Sequence, residues 1–168
     1  MMSLVQAISD WCTWVEATPL AVSIAESSYY FPWLETTHVV GLALVLGTIA
    51  IVDLRLLGLA SRSRPVRDVI AETLPFTWGG FALALTSGAL MFISAATTYF
   101  GNVPFRIKLC LLALAGVNMV VFHVLTMRSL DGWNESDKTP TGARIAGASS
   151  MLLWIAIVFA GRWIAFTE

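Results

Sequence analysis

The chain has 168 residues, of which 57% are hydrophobic and 12% charged, and its formal net charge at pH 7 is −1. Soluble domains carry about 25% charged residues, so this composition excludes an ordinary soluble domain and favours an integral membrane protein. The balanced charge and the lack of a basic stripe in the sequence exclude the electrostatic footprint that nucleic-acid binding requires. The two cysteines, Cys12 and Cys110, are too few for a zinc motif or a disulfide scaffold.

The first predicted element is an apolar but interrupted segment over about residues 4–24. Its apolar residues recur at helical spacing: Leu4, Ile8, Trp11 and Val15. Asp10 and Glu16 interrupt the segment, so we expect an amphipathic helix that lies on the membrane surface and does not span it. Thr18 followed by Pro19 predicts the N-cap and the first position of a second short helix.

Four apolar stretches follow, and each is long enough to cross a bilayer, which takes about 20 residues. These predicted spans cover about residues 33–59, 74–97, 105–127 and 143–166. The sequence therefore predicts an all-α membrane protein. Residues 1–28 form the interfacial segment, and residues 29–168 form a four-helix up-down transmembrane bundle.

The distribution of lysine and arginine predicts the orientation of the bundle, because cytoplasmic loops carry the excess of positive charge. Seven of these residues follow the first or the third span: Arg55, Arg62, Arg64, Arg67, Arg128, Lys138 and Arg144. Three lie on the opposite side: Arg106, Lys108 and Arg162. We therefore expect a multi-pass protein of the bacterial inner membrane, with both termini and the amphipathic helix on the periplasmic side.

Both histidines fall inside predicted spans, His38 near the outer end of the first and His123 near the inner end of the third. The rise of an α-helix separates them by about 20 Å along the membrane normal, so one metal cannot bind both within a protomer. A methionine lies at the matching depth of each histidine, Met91 for His38 and Met151 for His123. His/Met pairs ligate haem iron, and thioethers also suit Cu(I).

Three interpretations of the two histidines stay open. They are structural or interfacial residues, ligands of b-type haem, or parts of a copper or proton pathway. In the haem interpretation, Arg162 on the outer side and Arg55 on the inner side are candidate partners of the propionates. The second span carries a stripe of mostly small residues along one face: Thr77, Gly80, Ala84, Ser87, Gly88 and Met91. A planar cofactor between helices needs such a stripe, but close packing of two helices needs it too and is the favoured reason for it.

Three further polar residues form a predicted membrane cluster that calls for an explanation. Asp53 lies near the inner boundary, where an ion pair with Arg55, a hydrogen-bonded cluster and a proton relay are the alternatives. Glu35 begins the first span and is expected to meet headgroups and water. Asn118 lies in the middle of the third span, where an interhelical hydrogen bond is its expected role.

Two segments carry a family resemblance, ETTHVVGLALVLGTIAIVDLRLLGL over residues 35–59 and FRIKLCLLALAGVNMVVFH over residues 105–123. They resemble an uncharacterised family of bacterial inner-membrane proteins. That family is loosely similar in architecture to b561-type cytochromes and to the copper-resistance inner-membrane proteins. The resemblance implies haem or copper handling, although the four-histidine ligand set of the two-haem cytochromes is not present.

No catalytic motif occurs in the sequence, so we do not expect a stand-alone enzyme. The first functional hypothesis is a b-type haem protein that transfers electrons, either alone or as a homodimer whose second copy supplies ligands. The second is an accessory or anchoring subunit of a larger membrane complex. The third is a transporter of copper or of a small solute. In each hypothesis the lipid bilayer is the surrounding partner.

Overall fold

The computed structural model describes residues 3–126 and 139–167. Within them all secondary structure is helical: α1 Leu4–Glu16, α2 Pro19–Glu26, α3 Tyr30–Leu57, α4 Val66–Ser94, α5 Ala96–Gly101, α6 Val103–Val121 and α7 Thr141–Ile164. A π-helical turn, Phe122–Thr126, continues α6. The end of the third predicted span at residue 127, Arg128 and Lys138 lie outside the described residues.

Four of the described helical segments are long and apolar enough to cross a membrane: Tyr30–Leu57, Val66–Ser94, Val103–Leu125 and Thr141–Ile164. They confirm the four spans and the all-α class that the sequence predicts. The bounds differ most at the start of the second span, where α4 begins eight residues earlier than expected, at Val66 instead of Leu74. Hydropathy detects only the apolar part of a helix, and the first turns of α4 carry the charged residues Arg67, Asp68 and Glu72.

The most extensive helix–helix contact in the described structure joins α3 and α4. A Cβ atom added to Gly41 would lie 2.7 Å from the backbone nitrogen of Ala84 and 2.9 Å from the carbonyl oxygen of Gly80. The two backbones therefore touch with no side chain between them. Further along the same contact, the Thr77 hydroxyl donates to the Thr48 hydroxyl over 2.8 Å. This part of the predicted small-residue stripe serves close helix packing.

The helix α7 contacts both α3 and α6. A cluster of buried apolar side chains joins these helices near one end: Leu56, Val66, Phe122, Ala143 and Ala146. Beside this cluster, the Asn118 side-chain amide donates to the carbonyl oxygen of Ala146 over 3.1 Å. The interhelical hydrogen bond expected for Asn118 is thereby confirmed.

The N-terminal helices attach to the bundle through a few specific contacts. Thr18 caps α2, as predicted, by accepting a hydrogen bond from the backbone N–H of Ala21. The backbone N–H of Thr97, in α5, donates to the Glu16 carboxylate over 2.9 Å. Leu4 and Trp11 of the amphipathic helix are 78% and 51% exposed, so α1 docks through one edge and leaves apolar side chains uncovered.

The two cysteine thiols do not form a disulfide. Cys12 is buried in α1, and Cys110 is exposed on α6.

Replacing Gly41 by alanine should destabilise the bundle by about 1–3 kcal/mol, because the added methyl group meets backbone atoms of α4. Gly47 is the matched control on the same helix, since a Cβ atom there meets nothing within 4 Å. Gly47→Ala should therefore leave the melting temperature unchanged or raise it. Thermal melting of both variants in one detergent measures the difference, and equal losses of stability would contradict the close backbone contact.

Candidate functional site

The imidazole of His38 is fixed by two oxygen atoms of α4. Its Nδ1 lies 2.8 Å from the carbonyl oxygen of Ala84 and 3.2 Å from the Ser87 hydroxyl oxygen. The Ser87 hydroxyl donates its own proton to the carbonyl of Leu83 over 2.6 Å, so both oxygens near Nδ1 act as acceptors. Nδ1 therefore carries the ring proton, and Nε2 keeps a free lone pair. A histidine that binds a metal is oriented in this way, by a hydrogen bond from its other ring nitrogen.

Gly88 makes the room that the imidazole occupies. A Cβ atom at Gly88 would lie 2.9 Å from Cε1 of His38 and 3.3 Å from Nδ1. The predicted stripe on α4 thus has two uses: Gly80 and Ala84 lie against the backbone of α3, whereas Ser87 and Gly88 hold the side chain of His38. The region where α3 carries His38 against this part of α4 is called the His38 end of the bundle below.

Lys108 of α6 brings a cation to the His38 end. Its side chain is half-buried and lies against α7, where a Cβ atom on Gly161 would be 3.6 Å from Nζ. Lys108 lies close enough to His38 for an electrostatic interaction between the two side chains. Among the residues that the structure describes, Lys108 has no ion pair, since the salt bridge found there joins Arg64 to Glu72. An unpaired ammonium group inside a bundle is costly and marks a candidate ligand site.

Sequence reasoning counted Lys108 with the cations of an outer loop and so missed its part in this site. One signal for its burial was available, because apolar residues lie on both sides of it in Phe105–Leu112. Gly161 was a second signal, because a residue without a side chain leaves space for a neighbour. The sequence does not show that this neighbour is Lys108, since the two residues are far apart in the chain. Such a pair becomes visible only once the packing of α6 against α7 is known.

The other residues predicted for the outer site are more loosely placed. Met91 is half-buried on α4, about one turn beyond Ser87, and has no hydrogen bond to the imidazole in the described structure. The guanidinium of Arg162 lies over the ring of Phe166, 5.2 Å from its centroid. Glu35 is exposed, as expected for a residue that meets headgroups and water.

The components predicted for an inner site do not come together. His123 is exposed, and its Nδ1 lies 2.9 Å from the carbonyl oxygen of Met119 in its own helix. Its ring stands edge-on to Phe122, with 5.7 Å between the centroids. Met151 lies elsewhere, in a groove between α3 and α7 that also includes Asp53. The matching depth of His123 and Met151 therefore does not make them neighbours.

Asp53 and Arg55 are both buried, at 4% and 1% exposure, yet they do not form the ion pair considered from the sequence. Residues two positions apart on a helix point to different sides. The Arg55 guanidinium donates through Nε to the carbonyl of Arg64 over 2.8 Å and through Nη1 to the Thr139 hydroxyl over 3.5 Å. One oxygen of Asp53, Oδ2, and Nη2 of Arg55 are left without hydrogen-bond partners.

The described residues contain no group of three or more His, Cys, Asp or Glu side chains that would hold a metal ion by themselves. The His38 end therefore offers one nitrogen ligand and one ammonium group. Any metal bound there would need most of its ligands from the cofactor that carries it.

Four apolar helices of membrane length, with polar side chains enclosed between them, define a multi-pass integral membrane protein. Residues 12–167 match the family of unknown function DUF6644, and the chain belongs to that family. No curated protein and no solved structure matches the chain. The resemblance to an uncharacterised membrane family is thereby confirmed, whereas the likeness to b561-type cytochromes and copper-resistance proteins gains no support.

Replacing Gly88 by alanine should displace the His38 ring from Ala84 and Ser87, because the new methyl group overlaps Cε1. We expect the nitrogen NMR spectrum of wild-type protein labelled at histidine to show His38 protonated on Nδ1 and not on Nε2. The Gly88→Ala variant should lose that signature.

The chain has two histidines, so the variant His123→Gln assigns the signal of His38. Gly79→Ala is the matched control on α4, since a Cβ atom at Gly79 meets nothing within 4 Å. An unchanged His38 signal in Gly88→Ala, or the same change in Gly79→Ala, would contradict the placement of the His38 ring against Ala84, Ser87 and Gly88.

Proposed function

We propose that the protein binds one b-type haem per protomer at the His38 end and transfers electrons through it. Nε2 of His38 would ligate the iron, and the ammonium group of Lys108 would meet a propionate. The observation that carries this proposal is an imidazole whose lone pair is free, at the end of the bundle that also holds the ammonium group of Lys108, which has no ion pair in the described chain. A haem presents both complementary groups, a metal ion and carboxylates.

Simpler ligands match only half of this site. A copper ion would use the lone pair of His38 but would be repelled by the charge of Lys108. A free anion would pair with Lys108, yet it gains nothing from a ring nitrogen that carries no proton. A purely structural histidine would account for the hydrogen bond to Ala84 and would leave Lys108 unexplained. Haem alone uses both groups, and its redox chemistry suits electron transfer inside a bilayer.

The proposal is restricted to one haem, because His123 and Met151 lie apart. Met91 stays the candidate for the second axial ligand, since it follows Ser87 on the same face of α4 at the His38 end. A homodimer or a bound ligand is the alternative source of that second ligand. The hypothesis of an accessory subunit stays the alternative: Gly41 and Gly80 are used between α3 and α4, whereas Gly47, Gly79 and Gly116 contact nothing in the described structure and are open to a partner.

For the topology we propose an up-down bundle in the bacterial inner membrane, with both termini and the His38 end facing the periplasm. Two observations support it. His38 near the start of α3 contacts Ser87 near the end of α4, while Thr48 further along α3 contacts the earlier Thr77. Arginine is also concentrated in the connection between α3 and α4. The uncovered apolar side chains of α1 would then enter the outer leaflet.

Protein purified from cells supplied with haem should show b-type bands in a reduced-minus-oxidised spectrum, with one haem per protomer. His38→Ala should abolish the bands, because the nitrogen ligand is lost. Lys108→Met should weaken haem binding about tenfold or more, as expected for loss of a charge-assisted contact. His123→Ala is the control and should keep the wild-type spectrum. Wild-type protein that shows no b-type bands, even after added haem, would rule out the proposed function.

A reporter enzyme that is active only outside the cytoplasm should be active when fused to the C-terminus and inactive when inserted at Ser61, between α3 and α4. A reporter that fluoresces only in the cytoplasm should give the reverse pattern. The physical reason is the charge of the α3–α4 connection, which disfavours its transfer across the membrane. Activity of the first reporter at Ser61 would show that the orientation is inverted.

A further inference from the structure

A groove between α3 and α7 has a volume of about 450 Å³ and contains a single ionisable side chain. Its walls include Ile49 of α3 and Trp154 and Phe159 of α7, and Asp53 lies among them near the end of α3. This groove is separate from the haem proposal, because Asp53 lies fifteen positions after His38, or about 22 Å along the helix.

The shape of the groove follows from how α3 and α7 approach each other. The two helices lie close together at Gly147, where an added Cβ atom would lie 3.1 Å from Cβ of Leu56 and 3.3 Å from the carbonyl oxygen of Asp53. Further along α7, the large side chains of Met151, Trp154 and Phe159 line the groove. The wall formed by α7 runs from Met151 to Phe159, which is about 12 Å. The groove is therefore elongated, with its carboxyl group near the end where the helices meet.

The carboxyl group of Asp53 has unused hydrogen-bonding capacity. Its side chain is 4% exposed, and Oδ2 has no hydrogen-bond partner in the described structure. The Ser150 hydroxyl lies beside the carboxyl group, whereas Arg55, the nearest cation in the sequence, is directed to Arg64 and Thr139. A buried carboxyl oxygen without a donor is unfavourable, and inside a membrane it marks a candidate functional site.

We propose that this groove binds a single-chain amphiphile with a protonated amine head. The alkyl chain lies along the apolar walls, and the ammonium group reaches Asp53 and supplies the missing donor and the missing opposite charge. Charge complementarity favours this occupant over the alternatives. A neutral lipid chain would leave Oδ2 without a donor, and an anionic head would be repelled by the carboxylate. The ligand class is thus the lipophilic amine.

The experiment uses the full chain in nanodiscs of phosphatidylcholine, whose headgroup has no N–H donor. Dodecylamine brominated on its chain is added, and bromine quenches the fluorescence of Trp154 in the groove wall. The chain has other tryptophans, so Trp154→Phe identifies the part of the quenching that comes from the groove. We expect saturable quenching by the amine in wild-type protein and at least tenfold weaker binding of brominated dodecanol, which lacks the charge.

Asp53→Asn should weaken binding of the amine at least tenfold, because a charged partner is lost from a buried pair, and binding of the alcohol should change little. Glu35→Gln is the matched control, since it removes an exposed carboxylate of the same helix, and it should bind the amine as wild type does. Ala50 of α3 also lines the groove. Ala50→Phe keeps the carboxyl group of Asp53 but fills the groove, so this variant should bind neither the amine nor the alcohol.

Melting curves of the variants confirm that each is folded. Equal binding of amine and alcohol by wild-type protein, or unchanged binding of the amine by Asp53→Asn, would overturn the proposal. Neither result bears on the haem spectrum, so the two proposals can fail independently.

Discussion

The contact between the backbones of α3 and α4 determines the geometry of the His38 end. Because Gly41 and Gly80 carry no side chains, the helices approach until a Cβ atom on Gly80 would lie 2.7 Å from Cβ of Leu44. At that separation the carbonyl oxygen of Ala84 and the hydroxyl of Ser87 come within reach of the His38 ring. A membrane offers little hydrophobic force between helices, so such close van der Waals packing is what holds them together. The position of the imidazole is thus a consequence of two glycines.

The helix α3 meets its two main neighbours in different ways. Against α4 it packs backbone to backbone, which leaves no space and fixes a polar side chain rigidly. Against α7 it is close at Gly147, and over the following turns large side chains line a groove between the two helices. Close packing therefore suits a residue that has to be oriented, such as His38, whereas loose packing leaves a space beside Asp53. One helix contributes to two different kinds of site because its two interfaces differ in side-chain size.

Much of the fold was predictable from the sequence, because membrane spans depend on a property that single residues carry. The four spans follow from hydropathy, the cap of α2 from Thr18 and Pro19, and the hydrogen bond of Asn118 from its depth. The candidate site was only half predictable. Spacing along α4 indicated the stripe that includes Gly80 and Gly88, but it did not show which glycine packs a helix and which one accommodates a ring.

The parts that sequence reasoning missed depend on pairs of residues that are distant in the chain. Lys108 looked like a loop cation until the packing of α6 against α7 placed it inside the bundle. Asp53 and Arg55 looked like an ion pair because they are adjacent in depth, yet helical geometry sends them to different sides. Depth along the membrane normal is readable from sequence, whereas direction around the helix axis depends on neighbours that the sequence does not name.

Direct comparison of like side chains separates structural polar groups from candidate ligands. Arg55 is buried and donates to one oxygen of the α3–α4 connection and to one just before α7, although its Nη2 has no partner, whereas Lys108 has no ion pair in the described chain. Glu16 accepts hydrogen bonds from both the backbone and the side chain of Thr97, whereas Asp53 keeps an oxygen without a donor.

In a low-dielectric environment an unpaired polar group is unfavourable. The presence of such a side chain inside the bundle therefore needs an explanation, whereas a paired side chain needs none. Arg55 and Glu16 already have such an explanation in the fold, because each ties segments of the chain together. Lys108 and Asp53 have none within the described chain. The strongest candidates for ligand contacts are therefore the enclosed, incompletely paired side chains that do not also tie segments of the chain together.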